Sequence, residues 1–323
     1  MPGRLAAFLP AALALLADAP SAAAQAFPTR PIRMVVPFAP GGPTDTVGRI
    51  VAHKLSERLG VNVVVDNRPG ATGMIGTDLV AKSVPDGHTL LLCSNSVLVT
   101  GPILYKAAYD PRRDIAPISL VVNVPYLLLV HPASGIGSVK DFLERARGKP
   151  GTLNYGSAGS GSTSHLAAAL FGQMAGVELV HVPYKGSALA ATDLIGGHLQ
   201  FIFEAAAAGM QYVKNGRLRA LGISTVARSP MLPDLPTLSE AGVPGYEVSV
   251  WHGICAAGAT PPALLARLQR EIAAGVNAPD ARDRLVGIGA EIVAGTPDAF
   301  RRIVQDDIVR WEKLLRSGSI RIN

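Results

Sequence analysis

The chain has 323 residues, of which 48% are hydrophobic, so two packed domains are the default expectation. Only 5% of the residues are aromatic, and the net charge of +6 comes from basic residues that are scattered rather than grouped in runs. This composition argues against a surface that stacks nucleobases and against a basic patch for membranes, and no nucleic-acid partner is expected.

Residues 1–26 have the pattern of a signal peptide. A single basic residue, Arg4, precedes the apolar stretch Leu5–Ala17, and small residues form an Ala-x-Ala cleavage site at Ala24–Ala26. A membrane anchor is the alternative, but the apolar stretch is shorter than the roughly twenty residues that span a bilayer. We therefore expect export to the periplasm and a mature chain that begins near Gln25 or Phe27.

The two cysteines, Cys93 and Cys255, each lie in an apolar run. An exported protein with two thiols can form one disulfide, but both positions are typical of buried strand residues, so free, buried thiols are favoured. The histidines occur singly, without the spacing of a zinc site. No metal ion or other cofactor is therefore expected.

The first part of the mature chain alternates predicted strands with predicted helices. Apolar and β-branched residues predict strands over residues 32–36, 61–65 and 89–93. The first strand passes into its helix through Val35–Asp45, where Pro and Gly residues interrupt the apolar run before helical spacing resumes. This order is typical of a parallel sheet with helices on its faces.

Three turns follow these strands, and we expect them to lie together, because ligands of open α/β sheets bind beyond the carboxyl ends of the strands. The turns are that of Val35–Asp45, the Gly-rich turn of residues 66–73 that contains Thr72, and Ser94-Asn95-Ser96. The first turn leaves several backbone N–H groups without partners at the positive end of a helix dipole. It therefore predicts an anion-binding site.

A second α/β unit follows a crossover. The apolar runs of residues 118–122 and 126–130 are broken at Asn123 and Pro125, and we place the crossover there. The Gly- and Ser-rich stretch Asn154–Leu166 then repeats the arrangement of strand, turn and capped helix. Two helix N-termini are therefore expected to face one anionic ligand.

The chain returns to the first domain before its end. A long strand is predicted over residues 246–256, and Thr296-Pro297 opens a final helix that is expected to pack on the first domain. The predicted first domain comprises residues 27–123 and 247–323, and the predicted second domain comprises residues 124–246.

Short motifs follow one another along the mature chain. They are Phe27-Pro28-Thr29-Arg30-Pro31, Val35-Val36-Pro37-Phe38, Pro40-Gly41-Gly42, Asp66-Asn67-Arg68-Pro69-Gly70, Pro85-Asp86-Gly87, Tyr155-Gly156-Ser157, His181-Val182-Pro183-Tyr184-Lys185-Gly186, Leu232-Pro233-Asp234 and Pro244-Gly245-Tyr246. In this order they resemble the Bug family, the substrate-binding proteins of tripartite tricarboxylate transporters. The resemblance implies a two-domain periplasmic binding protein of the α/β type II fold, with a ligand cleft between its domains and a membrane permease as partner. We expect the protein to be a monomer.

In the Bug family a small carboxylate is held largely by backbone N–H groups and ordered waters at the two Gly-rich turns. The sequence agrees, since neither turn contains Arg or Lys. The residues that map onto the family's turns are Phe38, Gly41, Gly42, Thr44, Asp45, Ser157, Gly159, Gly161, Ser162 and His165. The other predicted ligand-binding residues are Ala39, Pro40, Thr72, Ser94, Asn95, Ser160, Tyr184, Glu204 and Trp251.

Some positions depart from the family pattern. Glu204 stands where the family often has Asp, and Pro43 replaces a small residue and removes one N–H from the first turn. Asp45 adds a negative charge beside that turn. These features favour a ligand that is partly amide or ammonium, or a carboxylate bridged by water, over a densely charged one.

Several of these residues have a second interpretation. Asp45 either caps its helix, which we favour, or binds an ammonium or amide group of the ligand. Glu204 is either an acceptor in the cleft or part of a salt bridge. Trp251 is as consistent with packing in the core or at the hinge as with ligand contact.

Ser157, Ser160 and His165 also raise the alternative of an exported hydrolase. The Gly-x-Ser-x-Gly spacing of a nucleophile elbow is absent, because Tyr155 and Ala158 occupy the positions two residues before these serines. His165 is expected on the first turn of its helix, pointing at a neighbour rather than acting as a base. The sequence therefore predicts a binding protein and not an enzyme, with an extracytoplasmic sensor module as the other alternative.

Overall fold

The computed structural model describes residues 27–41, 43–184, 186–229 and 232–316, and the predicted signal peptide lies outside them. Within these residues ten strands form one curled sheet. The strands are β1 (Ile32–Val36), β2 (Val63–Asn67), β3 (Thr89–Ser94), β4 (Ile115–Val130), β5 (Asn154–Ser157), β6 (Val180–Pro183), β7 (Phe201–Ala205), β8 (Arg219–Ile223), β9 (Ser249–Ala257) and β10 (Glu291–Ile292).

Helices follow most of the strands. They are α1 (Pro43–Leu59), α2 (Met74–Ala81), α3 (Gly101–Leu104), α4 (Val139–Gly148), α5 (Thr163–Ala175), α6 (Ser187–Ile195), α7 (Ala206–Lys214), α8 (Pro262–Val276), α9 (Pro279–Gly287) and α10 (Pro297–Arg316). In the described part of the chain, none of them combines the length and the apolar composition that crossing a membrane requires.

The sheet has two halves that share β4. In the first half the order is β2-β1-β3-β9-β4, and β1 pairs in parallel with β2 and β3. In the second half the order is β4-β7-β5-β6, and β5 pairs in parallel with β6 and β7. Each half therefore presents three parallel strands whose carboxyl ends lie at one edge, where a ligand of an open α/β sheet binds.

β4 is one strand of 16 residues, although the sequence predicted two runs broken at Asn123 and Pro125. A proline removes only one ladder hydrogen bond, and β4 stays aligned with β9 from Ile115 to Pro125. The register between these strands shifts twice, and such irregularities bend a strand. The predicted crossover thus lies inside a continuous strand, and the exact domain boundaries remain a prediction.

Alternate residues of β1 supply two separate cores. Met34 and Val36 face the core that contains the apolar side of α1, whereas Val35 faces the core that contains α10. Because both faces of the strand are buried, its sequence is continuously apolar rather than alternating.

The final helix packs on the first half of the sheet, as the sequence predicted. α10 approaches β9 closely because Gly253 has no side chain, and a Cβ atom there would collide with the ring of Phe300. The same ring packs edge-on against Trp251, with 5.2 Å between the ring centroids. β9 is therefore fixed to α10 by close aromatic packing.

The prediction of free, buried thiols is wrong, because Cys93 of β3 and Cys255 of β9 form a disulfide. These strands are antiparallel neighbours, and Leu91 pairs with Cys255 while Cys93 pairs with Gly253. The two cysteines therefore share one face of the sheet at a diagonal position, with 6.3 Å between their Cα atoms. Burial of both residues was expected, but their pairing depends on strands that are 162 residues apart.

Candidate functional site

The six parallel strands end at turns that lead into helices. β1, β2 and β3 are followed by the start of α1, by a 3-10 turn at Ala71–Gly73 and by a π-helical turn at Ser96–Thr100. β5, β6 and β7 are followed by α5, α6 and α7. The turn before α5 also lies close to the first half of the sheet, because a Cβ atom at Gly161 would be 3.3 Å from Leu104 Cδ1.

Asp45 holds the first turn in place. Its carboxylate accepts hydrogen bonds from the backbone N–H of Gly41 at 2.9 Å, from Arg49 Nε at 2.8 Å and from Asn67 Nδ2 at 2.9 Å. Burial alone would raise the pKa of Asp45, but the hydrogen bonds from Arg49, Gly41 and Asn67 lower it. Asp45 thus stabilises the turn, and its charge is paired with Arg49. The neighbouring Gly42 lies outside the described residues.

His165 has the same position in the second turn. Its Nδ1 accepts a hydrogen bond from the backbone N–H of Gly161 at 3.0 Å, again from a residue four positions earlier. An imidazole nitrogen that accepts a hydrogen bond carries no proton, so His165 is neutral with its proton on Nε2. As expected from the sequence, His165 contacts a neighbour on the first turn of its helix.

Serine hydroxyl groups complete the second turn. Ser162 caps α5 by accepting from the N–H of His165, and its hydroxyl donates to the carbonyl of Gly159 at 2.6 Å. Ser157 accepts from the N–H of Gly159 and lies 2.7 Å from His181 Nε2. Ser157 is only 1% exposed, so it supports the turn and is not accessible as a nucleophile.

Both turns leave N–H groups at the start of a helix available. The first residues of an α-helix have no intrahelical acceptor for their N–H groups. This applies to Thr44 and Asp45 in α1 and to Thr163 and Ser164 in α5, whereas Pro43 has no N–H to offer. Each turn therefore has N–H donors at the positive end of a helix dipole, which is the arrangement that binds an anion.

His252 connects the first turn to β9, and sequence reasoning did not place it in the site. Its Nε2 lies 3.0 Å from the hydroxyl oxygen of Thr44, and the residue is 3% exposed. Burial lowers the pKa of His252 to about 4, so the ring is neutral near pH 7. In the sequence, only the position of His252 directly after Trp251 pointed to the site. Its contact with Thr44 could not be predicted, because the two residues are 208 positions apart in the chain.

The hydroxyl groups of Tyr184 and Ser94, near other strand ends, have partners within the fold. Tyr184 donates to Asp193 at 2.6 Å, and the hydroxyl groups of Ser94 and Ser96 lie 2.8 Å apart. Thr72 is exposed and has a left-handed backbone, with φ of 56°.

Glu204 is buried at the end of β7, where its Oε1 accepts from the N–H of Ala205 at 3.0 Å. Burial raises the pKa of Glu204, although hydrogen bonds from Ala205 and Ser187 partly oppose this. No salt bridge to Glu204 is present among the described residues, Lys185 lying outside them. Glu204 thus lies close to Ser187, the first residue of α6.

Trp251 has a packing role. It is 3% exposed, its ring contacts Phe300, and its Nε1 donates to Asp307 of α10 at 2.8 Å. Of the remaining predicted residues, Ala39, Pro40 and Ser160 are exposed, whereas Phe38 is half-buried. The described residues contain no group of His, Cys, Asp and Glu side chains that could hold a metal ion.

His165 makes the stability of the protein depend on pH. Burial and the nearby His181 lower the pKa of His165 from 6.5 to about 4. Between these values the unfolded chain binds a proton that the folded chain does not, so stability decreases as the pH falls through this range. The decrease is up to about 1.4 kcal/mol per pH unit.

We expect His165→Asn to reduce this slope by about that amount, because the amide oxygen can still accept from Gly161 but does not titrate. Urea unfolding at several pH values measures the slope. Because the pKa of His252 is also lowered to about 4, the stability of the variant should still depend on pH, with a smaller slope. An unchanged slope in the variant would show that His165 is protonated in the folded state.

Comparisons with known proteins agree with this architecture. The family model described as "Tripartite tricarboxylate transporter family receptor" matches residues 47–319. Protein BugT of Bordetella pertussis is 36% identical over 321 residues, which cover 99% of this chain and 98% of BugT.

Two solved structures combine sequence identity with the same fold. R. palustris Rpa4515 with adipate has a TM-score of 0.78 at 38% identity, covering 91% of this chain and 99% of that chain. MatC from Rhodopseudomonas palustris with bound malate has a TM-score of 0.74 at 32% identity, covering 89% of this chain and 99% of that chain. The fold class expected from the sequence is confirmed. This chain belongs to the tripartite tricarboxylate transporter receptor family and is a solute-binding protein of the periplasmic Bug type.

Proposed function

We propose that this chain captures a small dicarboxylate between its two Gly-rich turns in the periplasm and delivers it to the permease of a tripartite tricarboxylate transporter. The observation that carries the proposal is the matching construction of the turns. In each turn a helix side chain, Asp45 or His165, accepts the N–H of a glycine four residues earlier. This bracing leaves the first helical N–H groups available to a ligand.

The affinity would come mainly from hydrogen bonds to the ligand's carboxylates. Each helix dipole contributes about 0.3–1 kcal/mol at an exposed site, whereas charge-assisted hydrogen bonds are stronger than neutral ones. A ligand that reaches both turns only when they approach each other favours the closed arrangement. In that arrangement, residues 27–123 and 247–323 would close against residues 124–246.

Two helix N-termini suit a ligand with two carboxylates. Malate and adipate, in the MatC and Rpa4515 structures, have this chemistry. From Pro43 and the charge of Asp45, the sequence favoured a ligand that is partly amide or ammonium, or a carboxylate bridged by water, but Arg49 donates to the Asp45 carboxylate at 2.8 Å. Because Arg49 offsets the negative charge of Asp45, one of the two ligand carboxylates can bind at the first turn.

Native mass spectrometry of freshly purified protein, followed by titration with adipate and malate in a calorimeter, tests the proposal. We expect either a retained dicarboxylic acid or saturable binding of an added one. A retained ligand without an acidic group, together with no heat from either acid, would contradict it.

Delivery to a permease is tested separately by co-purification from membranes. We expect the permease subunits to be recovered with ligand-loaded protein. Recovery of a sensor kinase ectodomain in their place would assign the chain to signalling.

A further inference from the structure

A cavity lies apart from the two turns. It has a volume of about 240 Å³ and is lined by β4, by β9 with the segment that precedes it, by Asn95 and by α10. None of the described residues of Phe38–Asp45 or Ser157–His165 lines it. The cavity therefore lies where the chain crosses between the two halves of the sheet and is not part of the proposed carboxylate site.

Two residues that line this cavity each carry a buried side-chain oxygen without a hydrogen-bond partner among the described residues. The two atoms are Asn95 Oδ1 and Asn123 Oδ1. Asn95 is 5% exposed, and its Nδ2 donates to the carbonyl of Ser249 at 3.0 Å. Because that carbonyl can only accept, the amide nitrogen must face it, and the amide oxygen is left as an acceptor. Buried acceptors without partners are rare, so they indicate a missing donor.

The charges around the cavity also favour a cation. Glu247, Asp306 and Asp307 line it, whereas Arg310 is the single cation among the lining residues. Arg310 donates to the backbone carbonyl of Glu247 at 2.7 Å. Asp307 accepts from the indole N–H of Trp251 at 2.8 Å, which fixes its carboxylate beside the cavity. The lining therefore has more acceptors and negative charges than donors and positive charges.

Two tryptophans, Trp251 and Trp311, line the same cavity, and aromatic surfaces attract organic cations. Among the described residues, no group of His, Cys, Asp and Glu has the arrangement that would hold a metal ion. We propose that this cavity binds a small organic ammonium ion, whose N–H groups donate to Asn95, Asn123 and Asp307. Such a ligand is opposite in charge to that of the proposed carboxylate site.

Intrinsic fluorescence tests this proposal, because Trp251 and Trp311 are the only tryptophans in the chain. The probe is ethylammonium chloride, and the controls are 1-propanol, a neutral molecule of similar size, and sodium chloride at equal ionic strength. We expect a saturable change with ethylammonium, with a dissociation constant in the millimolar range for so small a ligand. The controls should produce no saturable change.

Asp307→Asn is the matched variant, because its amide oxygen can still accept from Trp251 while the negative charge is lost. We expect ethylammonium to bind at least about tenfold more weakly to Asp307→Asn and to Asn123→Leu than to the wild type. Both variants should bind adipate as tightly as the wild type does. No saturable response, an equal response to 1-propanol, or unchanged affinity in Asp307→Asn would overturn the proposal. The adipate titration is independent, so failure of the carboxylate site would be recognised separately.

Discussion

Replacing Gly161 with aspartate is expected to weaken dicarboxylate binding by at least about 100-fold, or about 2.7 kcal/mol, while the protein remains folded. The new carboxylate would stand at the N-terminus of α5, beside the N–H groups that we assign to the ligand. It would compete for these donors and repel the incoming anion. Calorimetry with adipate or malate, whichever the wild type binds more tightly, measures the loss.

Gly216→Asp is the matched control for this experiment. Gly216 also has a left-handed backbone, with φ of 66° against 77° at Gly161, and it follows α7, which packs in a different hydrophobic core from α5. No atom lies within 4 Å of a Cβ placed there. The control variant should carry similar backbone strain and bind normally. Equal affinity in Gly161→Asp and Gly216→Asp would remove the second turn from the proposed site.

Removing the disulfide is expected to lower the free energy of unfolding by about 2–5 kcal/mol. The bond joins cysteines that are 162 residues apart, so it restricts a very long loop in the unfolded chain. It also links β3 to β9 beside Ser94 and His252, which are paired in the same two strands. The double variant Cys93→Ala and Cys255→Ala, unfolded in urea, measures the loss.

A reducing agent distinguishes the bond from simple loss of side-chain volume. It should lower the stability of the wild type toward that of the double variant once the buried bond has been opened, and it should not affect the variant. If the wild type unfolds identically in the presence and absence of reductant under conditions that reduce the bond, the disulfide does not stabilise the fold.

Local patterns in the sequence were sufficient to locate both turns. Pro and Gly residues interrupt a strand before a helix, and this chemistry depends only on neighbouring residues. The hydrogen bonds that hold the turns in place were harder to predict from the sequence. The partner of His165 follows from its helix position, but the interaction of Asp45 with Asn67 joins the start of α1 to the end of β2 and depends on the pairing of β1 with β2.

Long-range pairing also explains the errors. Cys93 and Cys255 were correctly expected to be buried, but their bond requires that β9 return beside β3 in antiparallel orientation. Asn123 and Pro125 suggested a break because each disfavours a strand locally, yet pairing with β9 keeps β4 continuous. The position of His252 beside Thr44 has the same origin, since β9 is inserted between β3 and β4.

Backbone amide NMR during a titration with adipate or malate tests the central claim most directly, because the proposed contacts are backbone N–H groups in both turns. The account predicts that the amides of Thr44 in the first turn and of Thr163 and Ser164 in the second shift together, with one saturation constant. Shifts confined to one turn, or absent from both at saturating ligand, would contradict the proposal that one ligand bridges the two helix N-termini.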